Sequence, residues 1–212
     1  MAAPARGGTK GVPREAREQQ ILDIAADEFG RAGHAHASIA AIAQRAGISK
    51  PLIYGYFESK DGLYLACLHR SGRTLVDAVG AAQNGTTAAR GVATLSAIFT
   101  ALEPRRHDWA LLYDPTLPPD SAVLAAARPY RRALADFGAV GVAEILGDAD
   151  PLDRSLLTHL WYSAVAAAVE WWQDHPNESA AAMATRCARI AERLVRPSGA
   201  TPGMREPSAG SV

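Results

Sequence analysis

Cysteine is scarce in this chain: its 212 residues include two, Cys67 and Cys187, and neither lies in a Cys-x-x-Cys or Cys/His spacing. A disulfide framework or a zinc site therefore has little support, and we expect two buried free thiols. His34 and His36 stand two residues apart in a predicted loop, but with no third ligand nearby they indicate a solvated turn. We predict no metal and no cofactor.

Long apolar runs are absent as well. No stretch of 18 uncharged apolar residues occurs, and the N-terminus carries polar residues where a signal peptide needs a continuous apolar segment. We therefore expect a cytoplasmic protein that does not contact membranes. The carboxylates between Gly147 and Asp153 lack the central glycine and closing glutamate of a calcium loop, so they predict a connection between helices that begins at an Asp cap.

The sequence also lacks the short motifs that mark common enzymes: a Gly-x-Ser-x-Gly elbow, a His-Glu-x-x-His pair, a phosphate loop and a dinucleotide fingerprint. We predict that the protein is not an enzyme. The main alternative is an all-α enzyme in which His107, Asp108 and His159 supply acid and base groups, but only composition favours it.

Net charge is zero, which by itself argues against a nucleic-acid ligand, because Lys and Arg make most phosphate contacts. The charge is unevenly distributed, however. Residues 1–60 contain eight Lys/Arg and six Asp/Glu, whereas residues 101–180 contain six Lys/Arg and twelve Asp/Glu. This asymmetry suits a molecule that places its N-terminal part on DNA and keeps its acidic part away from the phosphates.

Helix-forming sequence is what the chain has in abundance. Alanine is frequent, no β-branched run alternates with polar residues, and the breaks fall at Gly or Pro, so we predict an all-α fold of about nine helices. Gly33 is expected to end the first helix. The predicted helices are 14–32, 38–47, 49–57, 60–82, 87–103, 105–113, 120–147, 152–174 and 177–195, between disordered tails at 1–13 and 197–212.

Two of these helices are short and are joined by a glycine turn. The first buries Ile39 and Ile42 and ends at Gly47, and the second begins at the cap Ser49 with Pro51 in its first turn. This is the layout of a helix-turn-helix, whose second helix can enter the major groove of DNA. A compact three-helix bundle without a nucleic-acid role is the alternative.

The second helix of this pair has an outer side that suits DNA better than water. If Ile53 and Phe57 face the core, as their four-residue spacing indicates, a leucine and two tyrosines lie outside. An outward leucine can meet a thymine methyl group, and tyrosine hydroxyls can donate to phosphate oxygens. The residues at the helix start or around this side are Lys50, Pro51, Leu52, Tyr54, Gly55 and Tyr56.

The segment SIAAIAQRAGISKPLIYGYFESK, residues 38–60, closely resembles the DNA-binding segment of the TetR family of repressors, and the resemblance covers residues 14–65. It implies a helix-turn-helix DNA-binding domain at 14–60 and a ligand-binding and dimerisation domain at 61–196. It also implies a repressor that binds a palindromic double-stranded DNA operator as a homodimer and is released by a small, largely apolar or aromatic effector. A DNA-binding regulator without an effector is a further alternative.

The resemblance assigns roles to single residues. Contacts to bases or to the DNA backbone are expected from Lys50, Pro51, Leu52 and Tyr56. Contacts to phosphates are expected from Ser38, Tyr54 and Lys60, while Ser38 and Ser49 add capped helix N-termini that favour phosphate. Where the family usually carries a larger, often aromatic residue, this chain has Gly55, which either allows the backbone to approach DNA closely or is tolerated in a short helix.

All four tryptophans fall in the second predicted domain, together with several other aromatic residues. These rings could fill the core, form a subunit interface or line an apolar pocket. The middle helices hold the ligand in the family that the chain resembles. We therefore predict a cavity lined by Phe99, Trp109, Leu112, Tyr113, Tyr130, Phe137 and Tyr162.

The last two predicted helices are apolar over wide arcs, so they must be covered. From the resemblance we predict a four-helix dimer interface made by two copies of this pair. Two reading helices about one DNA turn apart would bind successive major grooves, and an effector would act by shifting the helix at 60–82. The predicted interface residues are Leu157, Trp161, Val165, Ala168, Trp172, Met183, Ile190 and Leu194.

Overall fold

A computed structural model of the chain describes residues 13–195, apart from the side chains of Ala88, Leu194 and Val195. Within these residues the fold is all-α, as predicted, with nine helices and no strand. The predicted tails at 1–13 and 197–212 lie outside the described residues, except for Pro13. The helices are α1 (Arg14–His36), α2 (Ile39–Ala46), α3 (Lys50–Phe57), α4 (Lys60–Ala81), α5 (Thr87–Leu102), α6 (Asp108–Tyr113), α7 (Ala122–Leu146), α8 (Pro151–Gln173) and α9 (Ala180–Val195).

The first helix is longer than the sequence indicates. Gly33 interrupts its regular geometry with φ 73° and ψ 164°, but a further turn follows and ends at His36. A Cβ at Gly33 would lie 2.6 Å from Thr116 Oγ1, so both the backbone angle and the nearby loop after α6 require glycine. The kink carries His34 inward, where it is buried, and the predicted solvated turn is wrong for this residue.

Two later helices begin after their predicted starts because hydrogen bonds outside the helix fix the first residue. Before α6, the amide of Asp108 donates to the Arg105 carbonyl at 3.0 Å, which makes residues 105–107 a turn. The amide of Ala180, the first residue of α9, donates to Glu103 Oε1 at 2.8 Å. A carboxylate that follows α5 therefore caps α9.

Serine caps and a glycine turn fix α3 relative to α2. Ser38 Oγ accepts from the amide of Ala41 at 3.3 Å, and Ser49 Oγ accepts from the amide of Leu52 at 3.4 Å. Gly47 ends α2 with φ 66°, in the left-handed region, and its amide bonds back to α2 carbonyls. The predicted caps and the predicted turn are thus confirmed.

One hydrophobic core extends from the first three helices into the rest of the chain. The predicted apolar stripe of α1 is buried, and its Phe29 ring meets the Tyr64 ring of α4 edge to face at 4.9 Å. Arg70, one and a half turns further along α4, donates to Asp23 Oδ1 of α1 at 2.7 Å. Helix α4 therefore packs both in the core of the first three helices and in the core of the helices that follow it. The domain boundary predicted at residue 60 stays a prediction.

Helix α4 packs against α5, α6 and α7, while α5 packs on α9 and α7 on α8. Glycines let α7 come close to α4: a Cβ at Gly72 would lie 2.5 Å from the Tyr130 ring, and one at Gly80 would lie 3.4 Å from Phe137. Asp150 Oδ1 accepts from the amide two residues later at 2.7 Å, so the predicted Asp cap of α8 is confirmed.

None of the described helices is long and apolar enough to cross a membrane. Both cysteines are free thiols: Cys67 is fully buried in α4 and Cys187 is half-buried in α9. Burial raises the pKa of Cys67 to about 12, which keeps its thiol protonated and unreactive. The prediction of a buried free thiol is confirmed for Cys67.

The contact between α4 and α7 makes a testable prediction about stability. G72A should lower the free energy of unfolding by roughly 1 to 3 kcal/mol, because the new methyl group overlaps the Tyr130 ring. The matched control is G55A on α3, where a Cβ meets nothing within 4 Å and where alanine should raise helix stability by up to about 1 kcal/mol. Urea unfolding followed by circular dichroism measures both, and equal effects would contradict the packing described.

Candidate nucleic-acid interface and ligand cavity

The outer side of α3 is the exposed surface that the sequence predicts. Ile53 and Phe57 are buried in the core, as their spacing indicates. Leu52 and Tyr54 are 39% and 42% exposed, and the chain presents them beside an exposed lysine at the start of the helix. Exposed in the same region are Ser38, Ser49, Lys50, Pro51 and Gly55.

Two predicted DNA-contact residues are partly engaged within the chain. Tyr56 is half-buried, and the guanidinium of Arg14 lies 5.0 Å from the centre of its ring. Lys60 Nζ donates to the carbonyl of Ala35 at 3.3 Å, so this ammonium also closes the end of α1. Sequence reasoning missed Arg14, because only the folded chain brings the first residue of α1 against α3.

Ion pairs between α1 and α2 hold the helix that supports α3. Arg45 Nη2 of α2 donates to Asp27 Oδ2 of α1 at 2.6 Å, and its other terminal nitrogen lies 3.7 Å from Glu28 Oε2. Glu28 Oε1 also accepts from the amide of Ser38 at 3.1 Å. Arg45 is therefore committed to the fold, whereas Lys50 of α3 and Arg14 of α1 are exposed and form no salt bridge with another described residue.

A cavity of about 140 Å³ lies between α4, α5, α6, α7 and α8. Its walls are mainly aliphatic and aromatic, with a few polar residues from the end of α4 and the first half of α5. The residues that line it are Val79, Gln83, Thr87, Arg90, Gly91, Thr94, Ile98, Trp109, Leu134, Phe137, Gly138, Gly141, Val142, Ile145, Leu157, Trp161, Tyr162 and Val165.

Three of the seven predicted ligand residues, Trp109, Phe137 and Tyr162, line this cavity. The other four, Phe99, Leu112, Tyr113 and Tyr130, do not. Phe99 and Leu112 are fully buried, and Phe99 packs edge to face on Trp172 at 5.3 Å. Sequence reasoning missed Arg90, Gln83 and the three glycines, since polar and small residues give no apolar signal.

Packing within the chain accounts for the two remaining tyrosines. Tyr113 lies against Trp109 with ring centres 4.7 Å apart, and it is not among the residues that line the cavity. Tyr130 covers Gly72 and shares a hydrogen bond with His69 Nδ1 at 3.0 Å. Both rings therefore support the walls without forming them.

The inner face of α8 carries most of the predicted dimer residues. Leu157, Trp161 and Val165 line the cavity, and Ala168 is half-buried. Trp172 and Met183 are buried within a single chain, so these two cannot supply surface to a partner. Ile190 is exposed on α9, and the side chain of Leu194 lies outside the described part.

The outer face of α8 carries a different apolar row. Leu152, Leu156 and Leu160 follow one another at four-residue intervals and are 76%, 59% and 54% exposed, and Trp171 lies further along the helix, also exposed. Sequence reasoning missed this row because α8 is apolar on both sides, so its pattern does not tell which face is covered by the same chain.

Helix α6 joins the cavity to the helices that carry α3. Trp109 of α6 lines the cavity, and Asp114 follows the end of the helix. Asp114 Oδ2 accepts from the amide of His34 in α1 at 2.6 Å and from the Tyr64 hydroxyl of α4 at 3.2 Å, while Oδ1 accepts from Thr116 at 2.7 Å. Burial and the neighbouring carboxylate raise the pKa of Tyr64, so its hydroxyl stays a donor.

The three residues of the enzyme alternative do not meet in a common cavity. Asp108 is buried and accepts from Ser71 Oγ at 2.7 Å, and His107 beside it faces α1, 3.9 Å from Asp27 Oδ1. Burial lowers the pKa of His107. His159 is exposed in a shallow groove between α7 and α8, and none of the three is among the described residues that line the cavity.

A capped pair of short helices with an exposed second member defines a helix-turn-helix, and the helices that follow it enclose a mainly apolar cavity. A sequence profile of bacterial regulatory proteins of the TetR family matches residues 21–67. That match begins in α1 and ends in α4, so it includes the whole helix-turn-helix.

Similar proteins support the same assignment. The transcriptional activator FasR of Mycolicibacterium smegmatis is 34% identical over 137 residues, which are 63% of this chain and 63% of that protein. The regulator BetI of Klebsiella pneumoniae is 40% identical over 63 residues, which are 30% of this chain and 32% of that protein. A TetR-like regulator from Rhodococcus sp. RHA1 superimposes with a TM-score of 0.68 and 27% identity, covering 87% of this chain and 98% of the other.

Residues 21–67 thus match the DNA-binding segment of the TetR family, and the rest of the described chain has the fold of TetR-like transcriptional regulators. The resemblance drawn from residues 38–60 is therefore confirmed. The chain spans just under two thirds of the length of the FasR protein that it matches.

The attachment of α6 makes a prediction that the sequence alone does not give. D114N should lower the free energy of unfolding by about 1 to 3 kcal/mol, because an amide nitrogen replaces one carboxylate oxygen that accepts hydrogen bonds in a buried site. The matched control is D136N on the exposed side of α7, which should change little. Urea unfolding measures both variants, and a neutral D114N would show that α6 is held by other contacts.

Proposed function

We propose that the protein is a transcriptional repressor that binds a palindromic DNA operator as a homodimer through α3 and is released by a small, largely apolar effector. The observation that carries the proposal is the exposed, firmly capped α3, which presents Leu52 and Tyr54 beside Lys50. An exposed leucine and tyrosine are costly on a solvated helix but useful against a DNA groove.

Base reading in this proposal depends on few side chains. Leu52 supplies an apolar contact to a thymine methyl group, and Lys50 and Pro51 meet the groove at the start of the helix. Tyr54, Lys60 and the capped helix N-termini at Ser38 and Ser49 grip phosphates. Gly55 leaves open space on the exposed side of α3. We propose that the spacing of the two half-sites and DNA shape supply part of the specificity.

We propose that Arg14 is a further phosphate-binding residue, in addition to Tyr54 and Lys60. It begins α1, is exposed and lies over the Tyr56 ring, so Tyr56 positions this guanidinium at the edge of α3. A guanidinium held by a ring face keeps its outer N–H groups for a phosphate oxygen. Tyr56 thereby acts mainly through Arg14, and its direct contact with DNA is secondary.

Effector release needs a physical link between the cavity and α3. Val79 of α4 and Trp109 of α6 both lie in the cavity wall, and both helices pack on α1. An effector that prefers a different position of these helices would move α1 and α3 with them, because Asp114 bonds to α1 and α4 together. The predicted shift of α4 thus becomes a joint shift of α4 and α6.

The dimer in this proposal uses the outer face of α8. Its three exposed leucines form an apolar row that a second copy of α8 would cover, and Trp171 is exposed further along the same helix. Two copies related by a two-fold axis would then place their α3 helices on a palindrome. Repression follows if the operator overlaps a promoter, although the relative FasR is named an activator. Action on DNA in a bacterial cell also implies a cytoplasmic location.

The proposal is tested by gel retardation of the DNA upstream of the gene, at a fixed salt concentration. The chain should retard this DNA, and its affinity should fall steeply as salt rises. Y54F should weaken binding to all sequences by a similar factor of about ten or less, because one phosphate contact is lost. L52A should instead change the preference among sequences that differ at one base pair.

V92A is the control for these variants, since Val92 is an exposed apolar residue of α5, away from α3. It should bind DNA as the natural chain does. Failure of the chain to retard any upstream fragment, or equal loss with V92A, would refute the assignment of α3. If the expression of a reporter gene falls when the chain is removed, the protein is an activator. That result would refute the repressor assignment but not DNA binding through α3.

The dimer face gives a separate prediction. The double variant L156E/L160E should shift the protein from dimer to monomer at micromolar concentration, because two buried carboxylates per chain would face each other across the interface. V92E carries the same change on α5 and should remain dimeric. Sedimentation equilibrium measures both, and circular dichroism checks that each stays helical. A natural chain that sediments as a monomer would contradict the proposed dimer.

A further inference from the structure

Most of the polar residues that line the cavity lie toward one of its ends. The polar lining residues there are Gln83, two residues after the end of α4, and Thr87, Arg90 and Thr94 in the first half of α5. The last lining residue of α5 is Ile98, which lies two turns beyond Arg90, or about 12 Å along the helix axis. Lining residues of this kind suit a ligand with a polar head and an apolar tail.

Contacts between the helices show which end is which. Gln83 Nε2 donates to Thr94 Oγ1 at 3.0 Å, and Arg90 forms an ion pair with Glu144 near the end of α7. The polar end therefore lies where α4 and α7 end. Trp109 belongs to α6, which packs on α1, so the apolar end is the one nearer the helices that carry α3.

Arg90 is the one charged residue among the described residues that line the cavity. Its side chain is 16% exposed, whereas that of its partner Glu144 is 40% exposed. Glu144 also accepts a hydrogen bond from Thr87 Oγ1. These bonds from Thr87 and Arg90 lower the pKa of Glu144, so the carboxylate is ionised at neutral pH.

Glu144 itself does not line the cavity. Arg90 therefore contributes both to the cavity wall and to an ion pair with a carboxylate outside that wall. A guanidinium carries five N–H donors in a planar fork that fits carboxylate or phosphate oxygens in pairs. It can bond a second anion from the cavity side, or exchange Glu144 for it, without a change in fold.

We propose that Arg90 binds the anionic head group of the effector, a carboxylate or a phosphate with an apolar tail, and that Glu144 is the internal anion which competes for the same guanidinium. This inference rests on the proposed function, since it assigns the chemistry of the effector in the same cavity. The tail then extends along α5 toward Ile98 and Trp109, where it meets α6. Head-group recognition and the link to α1 thus lie at opposite ends of one ligand.

The test is isothermal titration calorimetry with three probes of equal tail length: dodecanoate, dodecyl phosphate and dodecan-1-ol, each below its aggregation concentration. The natural chain should bind at least one of the two anions about tenfold or more tightly than the alcohol. Preference for dodecanoate assigns a carboxylate head, and preference for dodecyl phosphate assigns a phosphate head. Both outcomes support the proposal.

Three variants separate head-group binding from a structural ion pair. R90Q should bind the anions and the alcohol alike, with affinity for the alcohol unchanged, because the cavity remains but the charge is gone. E144Q should bind the anions more tightly than the natural chain, because it removes the competing carboxylate. R132Q, which removes a guanidinium that is 85% exposed on α7, is the matched control and should behave as the natural chain does.

Each of the other possible results would refute a specific part of the head-group proposal. If the natural chain binds the alcohol as tightly as the anions, or R90Q keeps the preference, the head-group assignment is wrong and the apolar cavity stands. Weaker binding of the anions by E144Q would show that Glu144 positions Arg90, and competition would be refuted. If none of the probes binds, both this inference and the proposed effector class fail, while DNA retardation still decides the role of α3.

Discussion

The buried carboxylate of Asp114 is the interaction on which the relation between the cavity and α3 depends. It accepts hydrogen bonds from α1 and from α4 at once, and it ends a helix of six residues that has little stability of its own. At the other end of α6, Asp108 is bonded to Ser71 of α4. Both ends of α6 are thus bonded to its neighbours, and in the proposed mechanism this is how a displacement of Trp109 would reach α1 and α4.

The helix-turn-helix could be predicted from the sequence because each of its signals is local. Ser38 and Ser49 cap helices through amides three residues ahead, and Gly47 ends α2 within its own turn. Four-residue spacing places Ile53 and Phe57 in the core. Contacts between distant residues were not predictable: the position of Arg14 over Tyr56 and the burial of His34 depend on how α1 folds back on its neighbours.

The cavity and the dimer face show why α8 could not be assigned from its pattern. Apolar residues cover both sides of this helix, so a period of 3.6 residues has no unique inner face. Packing against α7 determines which face of α8 is buried. A Cβ at Gly138 of α7 would lie 2.9 Å from the Trp161 ring, so glycine at this position lets the ring pack closely. Leu157, Trp161 and Val165 consequently face inward, and Leu156 and Leu160 are left on the surface.

The four tryptophans divide into two pairs with different surroundings. Trp109 and Trp161 lie in the cavity wall, whereas Trp171 is stacked on His175 at 3.6 Å and Trp172 lies under the guanidinium of Arg106 at 4.1 Å. Indole emission depends on the polarity around the ring, and a stacked imidazole quenches it. An apolar tail entering the cavity would change the surroundings of the first pair and leave the second pair as an internal reference. Tryptophan fluorescence would then report the proposed occupancy of the cavity without any added dye.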